Sequence, residues 1–123
     1  MKIAFSRERA FTPDFNGNKS LDEADQLSAT VKVMTLNDIL DLGDAFKQAG
    51  FEKGDMKEMS LAQMQVLVRS AGKYVPKYVS LKGNDGFTLE DVVTYPQFLS
   101  LATELLFTLL NFSAPTEADV KNS

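Results

Sequence analysis

The sequence predicts an α+β fold: an N-terminal β-hairpin with a long loop, followed by a mainly helical bundle of four to five helices. Three observations carry this reading. Apolar residues alternate with polar ones up to Met34, the period of a half-buried strand. From Thr35 onward the apolar spacing lengthens to three and four, the period of a helix. Asp, Asn and Gly concentrate between Thr12 and Asp25, where the two strands need a connection.

Ile3, Phe5 and Phe11 share odd positions with Arg7 and Arg9, so the first strand has one partly wet side. Leu27, Ala29, Val31 and Val33 alternate with Ser28, Thr30, Lys32 and Met34 in the second strand, and Asn16-Gly17 supplies a turn. Thr35, with Asp38 three residues on, caps a helix carrying Leu36, Ile39, Leu40, Gly43 and Phe46, and Gly50 closes it. A second helix is expected to start near Asp55 with Glu58 as capping partner, Ser60 with Gln63 being the rival start. Gly72 and Pro76 interrupt the stretch from Lys73 to Leu81 and its approach, so a short helix is read from Pro76, with a strand as the alternative. Gly83-Asn84-Asp85-Gly86 is a turn, and Thr88 with Asp91 caps a short helix over Leu89 to Thr94. Pro96 begins the last helix, which ends near Asn111. The expected division is a single domain over residues 1–112 (hairpin 1–35, helices 36–112) and a flexible polar tail over 113–123.

Composition narrows function. The chain has 123 residues, 44% hydrophobic and 24% charged, as an ordinary globular domain does. Its formal charge of -4 disfavours nucleic acid and anionic membrane surfaces as partners. Without Cys there is no disulfide or thiolate chemistry, and without His the commonest general base is missing. The expectation is a non-enzymatic protein with no cofactor. The N-terminus lacks the apolar stretch of a secretory signal, and Ser100, Thr103, Glu104, Thr108 and Asn111 break up the most apolar segment, so neither export nor membrane insertion is expected.

Two polar constellations stand out. Asp14, Asn16, Asn18, Ser20 and Asp22 fall at the liganding spacing of an EF-hand loop that closes on Asp25. Lys19 stands where the loop needs Gly, Asp25 is shorter than the usual Glu, and no helix pair flanks the segment, so a solvated hairpin loop is the favoured reading. A calcium-binding or calcium-stabilised module using residues 14–25 is the alternative. The acids Asp38, Asp41 and Asp44, and Glu52, Asp55 and Glu58, read as solvated faces and helix-dipole partners.

The apolar residues say more. In the last helix Ser100, Glu104, Thr108 and Asn111 form one narrow polar stripe, and nearly everything else is Leu, Phe or Ala. Such an arc exceeds that of an ordinary surface helix, so it must be covered from several sides, by the chain itself or by a homo-oligomer contact or client. Met56, Met59 and Met64 add adaptable side chains on the second helix. Met56, Met59, Met64, Leu106 and Leu110 are the candidate partner-binding residues.

The C-terminal two thirds also has a familiar pattern. Ser60-Leu61, Leu67-Val68, Tyr74-Val75-Pro76-Lys77-Tyr78-Val79 and Gly86-Phe87-Thr88-Leu89-Glu90-Asp91-Val92-Val93, then Pro96-Gln97-Phe98 and Leu105-Leu106-Phe107-Thr108-Leu109-Leu110, resemble tail assembly chaperones of long-tailed bacteriophages. The resemblance implies a protein of the host bacterial cytoplasm, absent from the mature virion, that binds the helical tape measure protein and helps tail tube protein assemble around it. It also implies a longer form made by ribosomal frameshift. Val120-Lys121-Asn122 can be encoded by a slippery A-AAA-AAC heptamer.

Overall fold

A computed structural model describes residues 2, 3, 5–51 and 59–113. Strands β1 (Glu8–Phe11), β2 (Ser28–Lys32) and β3 (Val79–Lys82) form an antiparallel sheet in the order β1-β2-β3. Helices α1 (Leu36–Gln48), α2 (Leu61–Tyr78), α3 (Leu89–Thr94) and α4 (Leu99–Ser113) supply the rest, with 3-10 turns at Phe15–Ser20, Glu23–Asp25 and Pro96–Phe98. The α+β expectation holds.

Register assigns the sheet faces. Arg9, Val31 and Val79 lie in one row and Phe11, Ala29 and Leu81 in another two residues on. This face meets the helices, with Ala29, Val31 and Val79 buried. Ala10, Thr30 and Ser80 form a row on the opposite face. Arg9 sits at the edge and stays exposed, the wet side that its position predicts. The first strand is shorter than expected. Its partner β2 ends at Lys32, and among the described residues one further hydrogen bond, from the Val33 N–H to the Arg7 carbonyl, extends the pairing. Ile3 and Phe5 therefore have no strand beside them and are exposed.

Helix boundaries obey local chemistry. Thr35 accepts from the Asp38 N–H at 3.3 Å. At the other end of α1 the Phe51 N–H reaches the Phe46 carbonyl and the Gly50 N–H the Lys47 carbonyl, while Gly50 takes φ +87°. This pair of hydrogen bonds is the Schellman stop, and the Phe46 and Phe51 rings, 5.0 Å apart, make its hydrophobic contact. α2 starts at the rival site: the Ser60 hydroxyl accepts from the Gln63 N–H, and the Gln63 side chain accepts from the Ser60 N–H. The start near Asp55, with Glu58, lies outside the described residues.

Pro76 neither begins a helix nor ends one. α2 continues through Gly72 and Pro76 to Tyr78, and the chain then turns directly into β3. Proline removes the hydrogen bond that residue 76 would give to the Gly72 carbonyl. Gly72 and Pro76 are both exposed, so water can take that carbonyl. The stretch is thus divided: Lys73 to Tyr78 is the end of α2, and the strand kept as the alternative forms only over Val79–Lys82.

α4 is the central helix. It packs against α2, α3, β2 and the turn at Phe15–Ser20. Leu101, Leu105, Leu106 and Leu109 have no exposed surface. Among the described residues no helix is long and apolar enough to cross a membrane.

Candidate functional site

The apolar arc of α4 is covered along its middle and left partly open toward both ends, at Leu99 and at Phe107, Leu110 and Phe112. At the Leu99 end a pocket of about 190 Å³ opens between α2, α3 and the start of α4. α2 contributes Met64, Leu67, Val68 and Ala71; α3 and the turn after it contribute Val92, Val93, Thr94, Tyr95 and Pro96; α4 contributes Leu99, Ala102 and Thr103. Met64, Val68 and Ala71 share a face of α2 because they recur at four and three residues. Met64 is 38% exposed, Val68 42% and Tyr95 55%. Leu61, one turn before Met64, continues the same exposed stripe.

The pocket is chemically plain. None of its twelve lining residues carries a charge, in a chain that is 24% charged. Its two threonine hydroxyls already donate to their own helices, Thr94 Oγ1 to the Glu90 carbonyl at 2.6 Å and Thr103 Oγ1 to the Leu99 carbonyl at 2.8 Å. Such a surface can hold an apolar group.

The expected partner-binding residues separate. Met64 lines the pocket. Met59 is half-buried against the core, and Met56 lies outside the described residues. Leu110 is on another surface, where it borders a shallow hollow with Gly43, Phe46, Lys47 and Phe51. Leu106 is fully buried and presents no surface to a partner; it belongs to the core. Val68, Val93, Leu99 and Tyr95 join Met64 instead. The spacing of Leu61, Met64 and Val68 is the available sequence signal, but it cannot show that α3 and α4 leave that stripe open.

The long hairpin loop is organised around one side chain. Asn16 and Gly17 both take left-handed backbone, φ 50° and 72°, as their turn composition predicts. Asn18 is buried, its Nδ2 donating to the Pro13 carbonyl at 2.8 Å and the Leu27 carbonyl at 2.9 Å, while its Oδ1 accepts from the Leu27 N–H at 2.7 Å. The side chain at the fifth calcium position is thus committed to holding the hairpin ends together. Glu104 of α4 ties the loop down by accepting from the Asp14 N–H at 2.8 Å. Among the described residues no three acidic side chains gather closely enough to hold a metal ion.

On the acidic face of α1, Asp44 accepts from Gln48 Nε2 at 3.0 Å within the helix, and Asp38 reaches another helix. The Asp38 carboxylate accepts from Lys77 Nζ at 2.7 Å and from the Tyr78 hydroxyl, joining the start of α1 to the end of α2. The Lys77 bond first, and the Tyr78 bond second, hold the Asp38 pKa below the usual 3.8, against the opposing pull of burial. The same bond to Asp38 holds Lys77 above the usual 10.5. Asp38 therefore anchors two helices. The chain matches no family model, no curated protein and no solved structure.

Proposed function

We propose that this chain is a non-enzymatic tail assembly chaperone that uses the α2–α3–α4 pocket to hold an apolar stripe of the helical tape measure protein. The observation that carries the reading is an open, charge-free apolar pocket flanked by half-exposed Met64 and Val68. Apolar grooves of this kind suit an amphipathic helix, and unbranched methionine adapts to varied apolar partners. The phage-chaperone pattern in the sequence spans the same elements, α2, β3, α3 and α4. On this reading the protein works in the host bacterial cytoplasm, keeps its client soluble while tail tube protein polymerises, and stays out of the mature virion. A frameshifted longer form would share the pocket.

Co-expression tests it. Wild-type chain should raise the soluble yield of a tape measure protein, and Met64→Asp combined with Val68→Asp should abolish the gain while the chain still melts cooperatively. An unchanged yield with wild-type chain, or full activity in the folded double variant, would refute the assignment.

A further inference from the structure

We infer that the pocket is a single-anchor site, built for one uncharged aromatic side chain of phenylalanine size projecting from the client helix. The inference rests on the pocket being the client site and names what recognises the client there. Size comes first. An apolar cavity of about 150 Å³ is enough to take a benzene ring, and this one is about 190 Å³. It therefore has room for one ring.

Polarity sets the second limit. Val68, Val92, Val93 and Leu99 contribute aliphatic wall, and none of the lining residues is charged. The Thr94 and Thr103 protons are already committed to backbone carbonyls. An entering carboxylate or ammonium would lose its water and find no charged partner among the described lining residues, and that desolvation opposes its entry. A phenyl ring loses nothing of the kind. The Met64 thioether at the wall adds a favourable contact for an aromatic ring over an aliphatic side chain. The match is thus one of neutral apolar surface on both sides, with sulfur favouring the ring.

Toluene is a probe for the ring alone. Added to the full-length chain, it should give saturable amide shifts in a ¹H–¹⁵N spectrum at Met64, Val68, Val93 and Ala102, with none at Leu36 or Leu40 on the exposed face of α1. Val68→Arg should weaken toluene binding about tenfold or more by placing a charge at the pocket wall. Met64→Arg serves the same purpose should Val68→Arg fail to melt cooperatively, and Leu40→Arg should leave binding unchanged. Non-saturable shifts, or equal shifts at Leu36 and Leu40, overturn the inference. If the chain solubilises a tape measure protein but does not bind toluene, the single-anchor inference falls and the chaperone reading stands. If toluene binds and no client is solubilised, the chaperone reading falls and the ring site stands.

Discussion

Replacing Asn18 by Ala removes three hydrogen bonds at once: two from Nδ2 to the Pro13 and Leu27 carbonyls, and one from the Leu27 N–H to Oδ1. Each contributes on the order of 1 kcal/mol net, and more where the backbone partner stays buried and unpaired. Pro13 and Leu27 are both buried, so the expected loss is about 2–3 kcal/mol, or about 10 °C in melting temperature for a domain of this size. Asn18→Asp is the more informative change. A carboxylate keeps an acceptor for the Leu27 N–H, but it turns a second oxygen toward two carbonyls that had received N–H donors. It should destabilise at neutral pH at least as much as Ala does. The calcium reading predicts the reverse, since an added negative charge at the fifth loop position strengthens a calcium site. Urea denaturation of wild type, Asn18→Ala and Asn18→Asp, each with and without calcium, decides the matter. A loss under about 1 kcal/mol in Asn18→Ala, or a calcium-dependent gain in Asn18→Asp, would refute the reasoning.

Other substitutions probe the remaining contacts. Asp38 is held below 3.8 in the folded state, so its contribution to stability is present above that value and disappears as pH falls through the lower folded value. The difference in urea midpoint between wild type and Asp38→Asn should therefore be largest near neutrality and shrink at acid pH; a difference that grows on acidification would contradict the Lys77 and Tyr78 bonds. Leu106→Ala should cost about 2–5 kcal/mol by opening a core cavity, whereas Leu110→Ala on the half-buried edge should cost about 1 kcal/mol. Equal losses in chemical denaturation would contradict the burial of Leu106. Gly83 has φ +80°, and a Cβ there would lie 2.7 Å from the Gln26 carbonyl oxygen. Gly83→Ala should lower stability by about 2 kcal/mol or more, and a neutral result in the same assay would show that the turn can move.

Structure is legible in the sequence where the chemistry acts locally. The caps at Thr35, Ser60 and Thr88 are built from residues three apart, and each forms in the structure. The period-two run of β2 and the Asn16-Gly17 turn are equally plain. β3 is harder to place because nothing in Val79-Ser80-Leu81-Lys82 reveals that β2 has a free edge beside the end of a helix. Asp38 shows the same limit from the polar side: its spacing from Thr35 marks a cap, while its carboxylate goes to Lys77, far along the chain. Leu106 reads as a partner contact and sits in the core for a related reason. Periodicity groups residues onto a helix face but does not say which neighbours arrive to cover it.

Unequal helix lengths explain the position of the pocket. At about 1.5 Å per residue, the 18 residues of α2 and the 15 of α4 run about 27 and 22 Å, while the six residues of α3 run only about 9 Å. α3 packs against both longer helices, so it roofs the seam between them over a fraction of its length. Val92, Val93 and Thr94 are its last residues before the chain leaves by Tyr95-Pro96, and the pocket opens there. The surplus apolar surface of α4 is thus reduced by its own chain to two partly covered stretches, Leu99 at this pocket and Phe107, Leu110 and Phe112 toward the other end. The proposed client helix would continue the roof where α3 stops, with its ring in the pocket and its next turn over Met64 and Leu61.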